Sequence, residues 1–421
     1  MKNIAFTDLV HQTINFNGQI PEEKLIIDLI DTKWVQRLRQ INQTANTRYV
    51  YMFSEHSRFG HSLGVCYLAK FVLDKLEVKY TQKVKKYKAA ILAAALLHDI
   101  GHLAPGSHLA QKVWFPNCLD QHEEIGHFII KNDAHLAEIL NSYDKDLLNT
   151  ISDILSESDN LPAWTWQLIS GGGWNVDRGN WCIVDSKLSG VSYGIYNINA
   201  LTDSIDITLK GHLAIKENRL DAMMHFAVSR HAMYKQVYQH RVILSADCLQ
   251  KNITKRIKNL NNKEGLFFDE TMKKVLSANS FHSLNLDDLF NMTESWWEFH
   301  LSKWKNSKDL ILRDLSLRLL NRKFFKTIKV DPNNFNEVKN KLIQICEKLN
   351  FNPDYYFNTL LESQVHKGDS KQSMLVILEN GDIKNISDIE PLYSTLVDET
   401  HNQKMWFAVP AEVKASFSQK A

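Results

Sequence analysis

From Ser57 onward the apolar positions recur at helical intervals. His61, Val65, Leu68, Val72 and Leu76 step by four, three, four and four residues, which keeps all five on one helix face. His61 therefore extends an apolar stripe. The next segment, AAILAAALLHDIGH, is apolar nearly all round, the mark of a buried helix, and Gly101 is expected to close it. Further helices are predicted over residues 122–130, 134–155 and 219–250, with others between 287 and 322.

Two stretches break the helical period. SIDITLKGHLAIK, residues 204–216, alternates around Lys210-Gly211 and reads as a small hairpin set among helices. After about residue 324 the pattern becomes mixed: a strand over 325–330, a helix over 334–349, a strand over 374–378 ending at the Asn380-Gly381 turn, and another strand over 404–409. The expected fold class is mainly α. A multi-helix core over residues 1–323, with a small β-hairpin insertion, is followed by a small α+β region over residues 324–421. No repeat of the solenoid or propeller kind is present.

Composition sharpens this reading. Glycine at 16 and proline at 8 are scarce in 421 residues, as a helical chain requires. Hydrophobic residues at 44% and charged residues at 23% fit a globular protein and exclude wholesale disorder. The longest strictly apolar run, residues 89–97, is too short to span a bilayer, so no membrane partner is expected. The start of the chain lacks a basic-then-apolar leader, and a cytoplasmic location is the expectation. The five cysteines are odd in number and contain no CxxC pair, which suits a reducing compartment and excludes a zinc ribbon. Fifty basic against 48 acidic residues leave a formal charge of +2, so nucleic-acid binding is not indicated and any phosphate recognition is local. Histidine, at 17, is the unusual component.

His98-Asp99 closes the buried helix, and an unpaired imidazole and carboxylate there would cost several kcal/mol. Such a dyad either caps the helix or ligates a divalent cation, since neutral imidazole and ionised carboxylate both serve as ligands. HDIGH also places His98 and His102 four apart, like the HExxH zinc motif with Asp for Glu, which keeps a metalloprotease in view. The shorter acid and the helix-weakening Gly101 argue against it. In SRFGHSLG, Arg58 precedes His61 by three residues, so a phosphate-pairing guanidinium and a potential ligand share a face. His108, His122-Glu123 and Asp177-Arg178 follow. Residues 171–173 form a Gly triplet, but without GK[ST] it reads as a flexible approach to Asp177 rather than a phosphate loop.

Read together, the segments resemble the HD-domain phosphohydrolase superfamily, and their flanks resemble its deoxynucleoside triphosphate triphosphohydrolase branch. WVQRLRQINQT matches the branch's FQRLRxIxQL run, and SRFGHSLGV its SRFEHSLGV-like segment. AALLHDIGHLAPGSH matches ALLHDIGHGPFSH, and RHAMYKQVYQH matches RxxMYxQVYxH. DLVHQTI resembles its DPVHG segment, and ILENGDIKNISDIEPL a tail common in it. The resemblance runs in order over most of the chain.

It implies that His61, His98, Asp99 and Asp177 are the ligands of one divalent metal ion, with Mn, Mg, Fe and Zn not distinguished. His122, poised by Glu123, would assist catalysis, and His108 lies where the family has another active-site histidine. Arg58 and Arg230 would hold phosphates. Tyr238 would pack against the sugar, Asp185 would accept from the 3′-hydroxyl, and Gln43 matches a residue near the sugar. The implied partners are a nucleotide substrate, further copies of the chain in a symmetric homo-oligomer and, in some members, an allosteric nucleotide.

One segment departs from the family. DRGNWCIVDS stands for the usual DRxDYLxRDS, so Asn180 replaces an acid, Trp181 a tyrosine beside the substrate, and Val184 a basic residue. Gln111 stands where some relatives carry a catalytic acid, and Gly60 where a glutamate is common. The expected function is metal-dependent hydrolysis of (deoxy)nucleoside triphosphates to nucleoside and tripolyphosphate, with altered substrate preference. The alternatives are hydrolysis of nucleoside monophosphates or cyclic nucleotides, or a non-catalytic nucleotide-sensing or nucleic-acid-binding module.

Overall fold

Two helices joined at Tyr80 frame the molecule, and in the second of them the apolar surface has no polar side: residues 90–97 are all buried. The computed structural model describes residues 3–116, 121–260, 265–361, 374–397 and 405–419. The first of the pair, Arg58–Lys79, starts just after Ser57, which is extended, and buries His61, Val65, Leu68, Val72 and Leu76 as their spacing predicts. Around the second, Thr81–Leu97, pack Pro21–Ile30 and Leu147–Leu155, while Val176–Leu188 lies along the first. The mainly α class is the observed one.

The buried helix ends at Leu97, four residues before Gly101, so His98 and Asp99 lie in the turn beyond it. Gly101 has another role. A Cβ there would fall 2.0 Å from the His122 carbonyl oxygen and 2.4 Å from the Gly126 nitrogen, so the glycine admits the Gln121–Asn132 helix at backbone contact. Other long helical stretches are interrupted. Residues 134–155 form Ala134–Tyr143 and Leu147–Leu155, parted at extended Asp144, whose carboxylate accepts from the Asp146 amide. Residues 219–250 divide into Leu220–Met233, a π-helical turn Tyr234–Tyr238, and a helix Arg241–Asn259 that starts after His240, whose Nδ1 accepts from the Val242 amide. Periodicity carries across such breaks and does not register them.

Strands were expected in two places, and a third is present at the start of the chain. β1 (Asn3–Asp8) and β2 (Gln12–Asn17) form an antiparallel hairpin with Ile14 and Phe16 buried. β3 (Ile205–Ile207) and β4 (Leu213–Lys216) make the predicted hairpin, with Gly211 at φ +79° in its turn. β5 (Lys326–Val330) belongs to a three-stranded antiparallel sheet in the order β5-β9-β6, whose other members are β6 (Asn358–Leu361) and β9 (Met405–Val409). The Phe335–Lys348 helix packs over a small core of Val330, Leu342, Cys346, Phe407 and Val413. β7 (Leu375–Ile377) does not join that sheet. It pairs parallel with β4 and antiparallel with β8 (Ile383–Asn385), giving a second sheet in the order β3-β4-β7-β8. The inserted hairpin, β7 and β8 are thus one sheet.

Candidate metal centre

Three backbone elements deliver the central side chains. His61 comes from the first turn of the Arg58–Lys79 helix, His98 from just past the end of the buried helix, and Asp177 from the first turn of Val176–Leu188, which Asn175 caps through a 2.8 Å bond from the Arg178 amide. One ligand atom from each of His61, His98 and Asp177 lies within 4.8 Å of the others. His61 Nε2 is 3.0 Å from Asp177 Oδ1, and His98 Nε2 is 3.8 Å from that same oxygen. Asp99 sits alongside, its Oδ2 3.7 Å from His61 Nε2 and its Oδ1 3.5 Å from His98 Nε2.

The donor set fits a divalent cation. His98 Nδ1 lies 2.9 Å from the Ala95 carbonyl and donates to it, which leaves the Nε2 lone pair facing the cluster. That Nε2 is buried with no hydrogen-bond partner. An orphaned acceptor nitrogen beside two carboxylates is what a cation would satisfy. On Asp99, Oδ2 accepts from Arg58 Nη1 at 2.7 Å, and Oδ1 lies 3.2 Å from His102 Nε2. Burial would push the Asp99 carboxyl up, but the Arg58 guanidinium and the His98 and His102 rings outweigh it and hold it well below the usual carboxylate value. For His61, burial acts downward, and Asp177 and Asp99 together override it and raise the imidazole. His102 is pushed well down by burial first and then by Arg58 and His122, so it is neutral. Its ring stacks on His122 at 4.2 Å. Because the helix has already ended, His98 and His102 do not form the same-face pair of an HExxH helix, and His102 turns to Asp99 instead.

The loop after the dyad is tied from below. Arg37, buried, donates to the carbonyls of His102 (2.8 Å), Leu289 (3.1 Å), Phe290 (2.8 Å) and Met292 (2.8 Å). Burial lowers its guanidinium to about 9, still charged at neutral pH. Gln111 donates to the Leu103 and Pro105 carbonyls at 2.8 and 3.4 Å, so the amide in place of an acid braces this loop. The His108 side chain lies outside the described residues; its backbone opens the His108–Trp114 helix. Glu123 is exposed on the Gln121–Asn132 helix.

On the other side of Arg58 the structure groups Gln43, Asp185, Trp181 and Tyr238. Tyr238 donates to Asp185 Oδ2 at 2.5 Å, and His56 Nε2 lies 2.7 Å from Asp185 Oδ1. The rings of Trp181, Tyr234 and Tyr238 meet edge to face at 5.3–5.8 Å, and the Arg230 guanidinium lies over Tyr234. Gln43 Oε1 and Arg58 Nε are buried without partners. Sequence reasoning missed His56, whose signal was its place two residues before Arg58, and it gave Arg37 no role. The glycine triplet is packed rather than flexible at its end: a Cβ on Gly173 would fall 2.1 Å from Tyr393 Oη and 2.7 Å from Met223.

A model of the HD domain matches residues 58–159, the stretch that contributes Arg58, His61, His98 and Asp99. YwfO, an uncharacterized protein of Bacillus subtilis, is 30% identical over 391 residues, covering 91% of this chain and 87% of its own length. A homolog of the deoxynucleoside triphosphate triphosphohydrolase SAMHD1 in Dictyostelium discoideum is 25% identical over 256 residues, 56% of this chain and 46% of that protein. A crystal structure of a phosphohydrolase from Bacteroides thetaiotaomicron superposes with a TM-score of 0.79 at 25% identity, over 97% of this chain and all of the other. With likeness of this extent around a His-Asp turn at the end of a buried helix, the chain belongs to the HD-domain phosphohydrolase superfamily.

Proposed function

We propose that the protein is a metal-dependent phosphohydrolase that cleaves (deoxy)nucleoside triphosphates at the α-phosphate, releasing nucleoside and tripolyphosphate. The observation that carries this reading is the convergence of His61, His98 and Asp177, with Asp99 alongside and a guanidinium at its edge. Bound there, a divalent ion would activate water and polarise a phosphoryl oxygen. Around it, Arg58 neutralises charge on the phosphate while bracing Asp99, and His122, stacked on His102, serves in its protonated form as the general acid for the leaving 5′-oxygen. Tyr238 and Asp185 face the sugar, where a tyrosine hydroxyl already bonded to the carboxylate crowds a 2′-hydroxyl. The SAMHD1 likeness supports the triphosphate substrate.

A second reading, a monophosphate or cyclic-nucleotide phosphohydrolase, draws on one observation. Arg178 Nη1 donates to the Gly172 carbonyl, which takes one of its N–H groups away from a long phosphate chain. The test is a screen of all nucleotides with Mn²⁺ and Mg²⁺, comparing wild type with a His98→Ala, Asp99→Ala double variant. Tripolyphosphate, released by wild type alone, supports the first reading; orthophosphate from a monophosphate, or a nucleoside monophosphate from a cyclic nucleotide, supports the second. Tight binding without turnover leaves a sensing module.

A further inference from the structure

Asn180 is fully buried on the helix that carries Asp177, three residues on and hence on a similar face. Its Oδ1 lies 3.1 Å from His61 Nδ1. The space for it is made by Gly64, since a Cβ there would fall 2.4 Å from Asn180 Nδ2. That Nδ2 is buried with no hydrogen-bond partner, so the amide is held half satisfied. A leucine of similar size would fill the space without orphaning a donor, so packing does not account for the amide. What the amide supplies is an acceptor opposite Nδ1.

A neutral imidazole carries one proton. With that proton on Nδ1 and donated to Asn180, Nε2 keeps its lone pair on the side where His98 Nε2 and the Asp177 carboxylate converge. The amide orientation follows from this, because the reverse orientation would force the proton onto Nε2. We propose that Asn180 is a positioning residue for the metal, fixing the ring and tautomer of His61 through an uncharged acceptor. A carboxylate in the same place would make Nε2 a stronger donor, so the amide sets the site to a weaker grip on its ion. The inference rests on the metal-centre reading and not on the identity of the nucleotide.

The test is calorimetric titration of the full-length, chelator-treated protein with Co²⁺ and with Mn²⁺, together with the visible absorption of the Co²⁺ form, for wild type, Asn180→Asp and Asn180→Leu. Asn180→Asp is expected to bind about tenfold tighter and Asn180→Leu about tenfold weaker with an altered Co²⁺ spectrum. The metal-free Asn180→Leu protein is expected to melt no lower than wild type, which a merely structural role would not allow. Wild-type affinity and spectrum in Asn180→Leu, or no tightening in Asn180→Asp, would overturn the assignment. If Asn180→Leu does not fold, Asn180→Asp decides alone. Affinities that shift as expected while no form hydrolyses any nucleotide would remove the proposed function and leave Asn180 in its role.

Discussion

The two sides of Arg58 are built differently. At the candidate metal centre each candidate ligand comes from a helix terminus or the turn beyond it, and ring orientation is set by fixed acceptors, the Ala95 carbonyl for His98 and Asn180 Oδ1 for His61. On the other side, the proposed sugar side, the geometry is held by side chains gripping one another, with both Asp185 oxygens engaged and three aromatic rings in edge contact. Backbone-set positions tolerate little change, whereas a side-chain cluster can be repacked one residue at a time. Of the departures from the family pattern, Trp181 falls on the second side and Asn180 on the first, where it keeps an acceptor oxygen against His61.

The comparison breaks most readily at the metal. Asp177→Ala is expected to lower nucleotide hydrolysis by about a thousandfold or more while the circular dichroism stays native, and retention of a tenth of the rate would show that the two sides are not distinct. Next is the brace beneath the loop. Arg37→Met leaves four carbonyls, three of them in buried bonds, without their donor and should cost at least ~3 kcal/mol in urea unfolding, with activity falling as the His102 segment loosens. Glu294 probes the same loop, since its Oε1 accepts from the Gly106 amide at 3.2 Å just before His108. Burial raises its carboxyl from 4.5 to about 7. The folded state therefore holds the proton that the unfolded chain has lost, and stability should fall by on the order of 2 kcal/mol as pH rises through that window and level off above it. Glu294→Gln should flatten the profile. The smallest effect is expected on the sugar side: Tyr238→Phe should change the KM ratio of deoxy- to ribonucleotides several-fold, about 1 kcal/mol, with kcat little altered.

Much of the site was readable because it is carried by ordered local motifs. The His61 stripe and the apolar run before His98 each declare an element and place a candidate ligand on it, whereas the Asn175-capped helix that carries Asp177 is not among the expected helices. The contacts that finish the site are long-range. His61 meets Asn180 across 119 residues and His56 meets Asp185 across 129, and no local period encodes such pairings. Gly101 suggests a helix end by its type, yet its place is dictated by the backbone of residues 122 and 126. The first hairpin does alternate, through Ile4, Phe6, Ile14 and Phe16, but it lacks an Asn-Gly turn and closes with Gln12 at φ +61°. The parallel pairing of β4 with β7 left no trace in either strand alone.

That pairing has a practical consequence for anyone shortening the chain. A fragment stopped near residue 324 would strip β4 of its neighbour, leaving a raw row of amides and carbonyls open to foreign strands, and would take Tyr393 from above the glycines that lead into Asp177. Such a piece would be sticky before it was inactive.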